Sequence, residues 1–140
     1  MQQYYHFVVH NWALFAALAV ILVLLAWNFG LGALGSSKVL DPGQATRLIN
    51  RENAVVIDVR AQGDFDQGHV IDAVHISMDD LSDRVNTLEK YKDRPLLVYC
   101  RAGNTSSRAV SILRKAGFQR VYHLKGGILA WQNASFPVTR

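Results

Sequence analysis

Cys100 is the only cysteine in the 140-residue sequence. It stands between a continuous apolar run at residues 95–99 and the short polar stretch Arg101-Ala102-Gly103-Asn104-Thr105-Ser106. A thiol at the end of a buried strand, followed by a glycine-containing turn into a helix, is a setting for nucleophilic sulfur chemistry. Gly103 permits a tight turn, and successive backbone N–H groups around such a turn can point inward as an anion-binding nest. The positive end of a following helix, expected to begin near Ser106, adds to that field. A thiol held there is stabilised as thiolate, the nucleophilic form. On placement alone the alternative reading, a small buried hydrophobe, stays open.

Charge distribution bears on the choice. From Cys100 to the end of the chain there are seven basic side chains and no acidic one, whereas residues 38–99 carry eight basic and all eleven acidic ones. A basic lobe around the cysteine lowers its pKa and attracts small anions. For Arg114, Lys115 and Arg120 a solvated face or contact with anionic lipid serves equally well. The loop amides are expected to dominate thiolate formation, with Arg101 giving the largest side-chain share. A lone thiol excludes an intrachain disulfide, and His69, His75 and His123 are scattered without helical i, i+4 pairing. No metal site, cofactor or nucleic-acid partner is expected.

The elements that must position Cys100 follow from periodicity. Asp41-Pro42-Gly43-Gln44 is a helix start, with an acidic N-cap, proline at the first helical position and glutamine completing a capping box. Residues 54–59 form a short, β-branched apolar run read as a buried strand that leads into Asp58 and Arg60. Residues 74–76 are a weaker strand, 81–90 a helix, and 95–99 a second buried strand that delivers Cys100. Residues 106–116 place Ala109, Ile112, Leu113 and Ala116 on one stripe, with Gly117 as the stop. A strand at 121–124 precedes Gly126-Gly127, which opens a last short helix holding Trp131. Strands alternating with helices predict an α/β domain with a parallel sheet covered on both faces. Ligands of such folds sit at the carboxyl ends of the strands, where Cys100 lies.

The first part of the chain reads differently. No Lys, Arg, Asp or Glu occurs before Lys38, and every residue from Trp12 to Trp27 is apolar. With the stretch back to Phe7 this makes about 20 residues, enough to span a bilayer as one helix. Trp12 and Trp27 bracket the run as interfacial rings would. The expected division is therefore residues 1–29 as tail and transmembrane helix, 30–38 as a Gly/Ser tether, and 39–140 as the domain. Ala33-Leu34-Gly35 has the small-x-small look of a signal-peptide cleavage site, but no basic residue precedes the run. Basic residues follow the span and none precedes it. The positive-inside rule thus predicts a single-pass protein of the inner (cytoplasmic) membrane, N-terminus out and domain in the cytoplasm.

Three stretches together resemble the rhodanese-like family. Val56-Ile57-Asp58-Val59-Arg60, with Phe65 and Gly68-His69-Val70, is similar to its N-terminal signature. The cysteine loop and Gly126-Gly127 through Trp131 are similar to the other two, in the family's order. The resemblance implies a three-layer α/β sandwich with a central parallel sheet. It also implies that Cys100 takes a sulfane sulfur from a small anionic donor such as thiosulfate, becomes a persulfide, and passes the sulfur to a thiol or protein acceptor. The backbone amides of Arg101, Ala102, Gly103, Asn104, Thr105 and Ser106 would cradle the persulfide, and Arg101 could contact the donor. Asp58, Arg60, Gly68, His69, Gly126, Gly127 and Trp131 are assigned to structural motifs. Phosphatase relatives carry a longer Cys-x5-Arg loop, and here that last position is Ser106, which counts against phosphate chemistry.

The leading reading is therefore a membrane-anchored sulfurtransferase, with lipid contacted by residues 7–29. The alternative is a membrane-tethered binding or adaptor module of the same fold that docks a membrane-protein partner. The intact cysteine loop favours the enzyme.

Overall fold

The computed structural model describes residues 1–35 and 38–140, with side chains described for 1–25 and 38–140. The chain divides into two compact units, Met1–Ser36 and Ser37–Arg140.

The first unit holds α1 (Gln2–His10) and α2 (Trp12–Gly35). The single helix expected over residues 7–29 is instead broken at Asn11, and Gln2–His10 meets Trp12–Leu25 at 70°. Asn11 causes the break by serving both helices. Its side-chain amide and its own N–H both donate to the Phe7 carbonyl, at 2.8 and 3.1 Å. Its carbonyl accepts from Leu14 at 2.9 Å and opens the next helix. A short polar side chain that bonds nearby backbone competes with helix continuation in this way. Among the described residues no single helix is long and apolar enough to cross a membrane, although this bent pair reaches that length and composition together. Helix α2 also runs through Gly35, where glycines were expected to make a flexible tether. Each glycine costs about 1 kcal/mol relative to alanine, and the intervening Leu31, Ala33 and Leu34 are strong helix formers. Ser36 and Ser37, the rest of that tether, lie outside the described residues.

The second unit contains β1 (Lys38–Leu40), α3 (Pro42–Glu52), β2 (Val55–Asp58), α4 (Gln62–Gln67), β3 (His69–Val70) and β4 (Val74–His75). It continues with α5 (Leu81–Arg84), a 3-10 helix (Val85–Tyr91), β5 (Leu96–Tyr99), α6 (Asn104–Lys115), β6 (Val121–Leu124), α7 (Gly127–Asn133) and β7 (Val138–Thr139). The sheet is parallel throughout, in the order β1-β6-β5-β2-β4, while β3 and β7 form a separate antiparallel pair. Asp41 caps α3 through a complete capping box.

Period-two alternation divides the core between the two faces of the sheet. Val55, Ile57, Leu96, Val98, Cys100 and Val121 pack against Ala109, Val110 and Leu113 of α6 and against Leu81 and Leu88. Val56, Leu97, Tyr99 and Leu124 pack on the opposite side, against Ala45 of α3 and Ile128 and Trp131 of α7. Because both faces are covered, the central strands read as unbroken apolar runs. This is the parallel sheet covered on both faces that the strand–helix alternation predicts, and the three-layer α/β sandwich that the resemblance implies.

The helix expected over 81–90 keeps one α turn and then tightens into the 3-10 segment. The Thr87 hydroxyl bonds back to the Arg84 carbonyl at 2.7 Å, and Asn86 and Thr87 are poor helix formers.

Candidate active site

Strand β5 runs straight into Cys100, which is 5% exposed and belongs to the α6 side of the core. The chain then turns within Arg101-Ala102-Gly103. Gly103 adopts φ +98°, which a side chain would strain, and α6 begins at Asn104, two residues before the expected Ser106. The left-handed glycine completes the turn early, so the amides of Thr105 and Ser106 already belong to the first helical turn. The Gly103 N–H donates to the Cys100 Sγ at 3.0 Å.

The carbonyls of the same loop point the other way. Ile128 N–H donates to the Cys100 carbonyl at 2.9 Å, and Leu129 N–H to that of Arg101 at 3.3 Å. Helix α7 thus holds the oxygens away from the sulfur and leaves the amides facing it. Gly127 makes this approach possible. A Cβ there would lie 2.4 Å from the Cys100 carbonyl oxygen and 2.5 Å from that of Arg101, at φ +59°. The Gly126-Gly127 pair is the place where the last helix closes on the cysteine loop.

Burial alone pushes the Cys100 thiol up. The Ser106 hydroxyl and the backbone amides of Ser106, Gly103 and Thr105 outweigh it and hold the thiol below its ordinary value. The largest side-chain contribution therefore comes from Ser106 and not, as expected, from Arg101. Arg101 is exposed to solvent, which screens its charge, whereas Ser106 is fully buried beside the sulfur. The Ser106 Oγ also lies 3.1 Å from the Gly103 carbonyl and 3.4 Å from His123 Nδ1. Burial, together with the positive charge of Arg114, pushes His123 below its ordinary value and favours the neutral ring. Sequence reasoning treated His123 only as a rejected metal ligand. The alternation of β6 was the signal available, since it puts His123 on the same face as Val121, toward α6.

Asp58 and Arg60 are spent on each other. The Arg60 Nε lies 3.0 Å from both Asp58 carboxylate oxygens, and one terminal guanidinium nitrogen donates to Asp58 Oδ2 at 2.6 Å and to the Gly68 carbonyl at 2.7 Å. The Tyr99 hydroxyl donates to the same Asp58 Oδ2 at 2.6 Å and accepts from Val70 N–H at 3.1 Å. Burial and the adjacent carboxylate push the Tyr99 phenol far above its ordinary value. His69 stacks on Phe65 with ring centroids 3.7 Å apart, and its Nδ1 donates to the Phe65 carbonyl at 2.9 Å. The Trp131 indole N–H donates to the Pro137 carbonyl at 3.0 Å. Asp58, Arg60 and Tyr99 thus join β2, β5 and the 60–70 segment, Trp131 ties α7 to the chain after it, and none of these side chains hydrogen-bonds the sulfur.

Residues 41–134 match the family model for the rhodanese-like domain. The chain belongs to the rhodanese-like family. This rhodanese-like chain is 38% identical over 104 residues to the uncharacterized protein YibN of Escherichia coli, covering 74% of this chain and 73% of that one. It is 36% identical over 100 residues to the thiosulfate sulfurtransferase GlpE of Pseudomonas putida, with 71% and 88% covered. Among solved structures it superposes on a rhodanese-like domain from Anabaena with a TM-score of 0.66 at 29% identity, covering 74% of this chain and 80% of that one.

Proposed function

We propose that this rhodanese-like protein is a sulfurtransferase that works through a Cys100 persulfide. The observation that carries the reading is the Cys100 sulfur held by the Gly103 amide at 3.0 Å, with the Ser106 hydroxyl and two further amides lowering its pKa. Such a site stabilises negative charge first on the thiolate and then on the persulfide. With thiosulfate as donor, the thiolate attacks the outer, sulfane sulfur. The bond from that sulfur to the sulfonate breaks, and sulfite leaves with the electron pair. An acceptor thiolate then attacks the outer sulfur of the persulfide, and the pair of the broken S–S bond returns to Cys100. No oxidant is consumed in either half. Sulfurtransferase relatives at about 35% identity support the reaction class.

The test is mass spectrometry after thiosulfate treatment. One added sulfur is expected on the wild type and none on Cys100→Ser. Cys100-dependent release of phosphate from an aryl phosphate would overturn the assignment.

The first unit we propose to lie in lipid, as the attachment of the domain to the inner membrane, with the domain on the cytoplasmic side. Its described side chains from Tyr4 to Leu25 include many large exposed hydrophobics, among them Trp12 and Leu14 at 69%. The lack of any charged residue before Lys38 supports the orientation. Carbonate-resistant membrane fractionation, with the domain shielded from protease in intact cells, is the expected result. A soluble protein or an accessible domain would remove the proposal.

A further inference from the structure

The turn after Cys100 is braced from a strand that does not carry the cysteine. Ser106, in the first turn of α6, is fully buried, and its Oγ lies 3.1 Å from the Gly103 carbonyl and 3.4 Å from Nδ1 of His123. Gly103 is also the residue whose amide holds the sulfur, at 3.0 Å. A short chain of polar groups therefore runs from His123 on β6 through Ser106 and Gly103 to Cys100. Within the sheet, the neighbours of His123 in register are Val39 of β1 and Val98 of β5, both apolar. The charged group beside it is Arg114 of α6, whose guanidinium donates to the Val121 carbonyl at 3.1 Å.

Proton counting sets the direction of this chain. Burial and the charge of Arg114 favour the neutral imidazole, which has one N–H. A serine hydroxyl has one proton and two lone pairs, and a carbonyl only accepts. With the Ser106 proton directed at Gly103, Oγ can meet Nδ1 only as an acceptor, which places the ring proton on Nδ1. The opposite tautomer would draw the hydroxyl proton onto the ring and out of the loop. We propose that His123 is a positioning residue whose Nδ1–H holds the Ser106 hydroxyl with its proton turned into the cysteine loop. That proton serves the Gly103 carbonyl in the thiol and turns toward the sulfur once Cys100 ionises. The proposal rests on the sulfurtransferase reading only for what the thiolate then does.

The experiment follows Cys100 alkylation against pH on the full-length protein, with sulfur loading from thiosulfate read by mass spectrometry. Asparagine puts an amide nitrogen close to the place of Nδ1, whereas glutamine reaches the place of Nε2. His123→Asn should therefore keep the wild-type alkylation profile. His123→Gln and His123→Leu should slow alkylation near neutral pH about threefold, the scale of one weak hydrogen bond. Made on a Ser106→Ala background, the same two substitutions should add nothing, because the route through the hydroxyl is already gone. A merely structural role would make asparagine and glutamine alike, or the Ser106 and His123 effects additive, and either result overturns the proposal. Sulfur loading should fall in step with alkylation. If thiosulfate never loads Cys100 while alkylation responds as described, the sulfurtransferase reading fails and the positioning role stands.

Discussion

The carboxyl ends of β2 and β5 lie side by side, yet they handle buried charge in opposite ways. At β2, the Asp58 carboxylate is met by a guanidinium and a phenol, and Arg60 and Tyr99 reach on to backbone groups of the 60–70 segment. At β5, the Cys100 sulfur accepts from the Gly103 amide, and its lowered pKa traces to further loop amides and the Ser106 hydroxyl, with no cation among the causes. A carboxylate bound on every side is a joint that cannot react. An anion held by amides from within the loop has no fixed counter-ion to neutralise it and keeps its nucleophilicity. The two ends thus separate the work of fixing the fold from that of exposing a nucleophile.

The largest effect should come from the joint. Asp58→Asn leaves the Arg60 charge, whose side chain is 9% exposed, without its counter-ion. Breaking one partner of a buried pair typically costs about 3–5 kcal/mol. Urea unfolding should show a loss of that order, with little movement of the Cys100 alkylation midpoint in the molecules that remain folded. A thiol pKa shift larger than that caused by Ser106→Ala would dissolve the separation.

Gly127→Ala comes next. The added methyl overlaps the Cys100 and Arg101 carbonyls, and the left-handed conformation alone costs about 1–3 kcal/mol for a side chain. Thiol reactivity should fall together with stability, because the loop must shift to make room. A variant with wild-type alkylation kinetics would show that α7 does not set the loop.

Ser106→Ala should be milder in stability, about 1 kcal/mol for one lost hydrogen bond. Its signature is an alkylation midpoint that rises toward the ordinary thiol value of about 8.5, whereas Arg101→Gln moves it less. The sign follows from the lowered folded value. The thiolate stabilises the fold fully above the unfolded thiol pKa, and that contribution is lost as pH falls through the folded one. Ser106→Ala should therefore narrow the stability gain between neutral and alkaline pH.

His123 gives the smallest effect. Its folded pKa is depressed, so its contribution is present above the unfolded value of 6.5 and is lost as pH falls through the folded one. His123→Gln should flatten the acid limb of the stability–pH curve slightly. An unchanged acid limb would remove His123 from the account.

The central strands and the cysteine turn were legible in the sequence because burial on both faces leaves unbroken apolar runs. The α3 capping box was legible because its chemistry is local. The bend at Asn11 was not, since one polar residue in an apolar run reads as tolerated until its side chain is seen on the Phe7 carbonyl. Strands β1, β3 and β7 were missed because two or three residues carry no period of their own and depend on distant partners, as Lys38 does on Tyr122 and His69 on Thr139. Ser106 was recognised for its amide and missed for its hydroxyl.

The contact between α7 and the cysteine loop also has a meaning in time. Cys100 leaves the ribosome before Ile128 and Leu129, the residues that hold the loop's carbonyls outward. At roughly 5–20 residues per second, that interval lasts about 1–6 s. Strand β6, which sits between β1 and β5 in the sheet, emerges within the same interval. Until both are in place the nascent thiol lacks its aligned amides and behaves as an ordinary cysteine. The nucleophile is therefore armed only when α7 closes on the loop, well after Cys100 itself has been made.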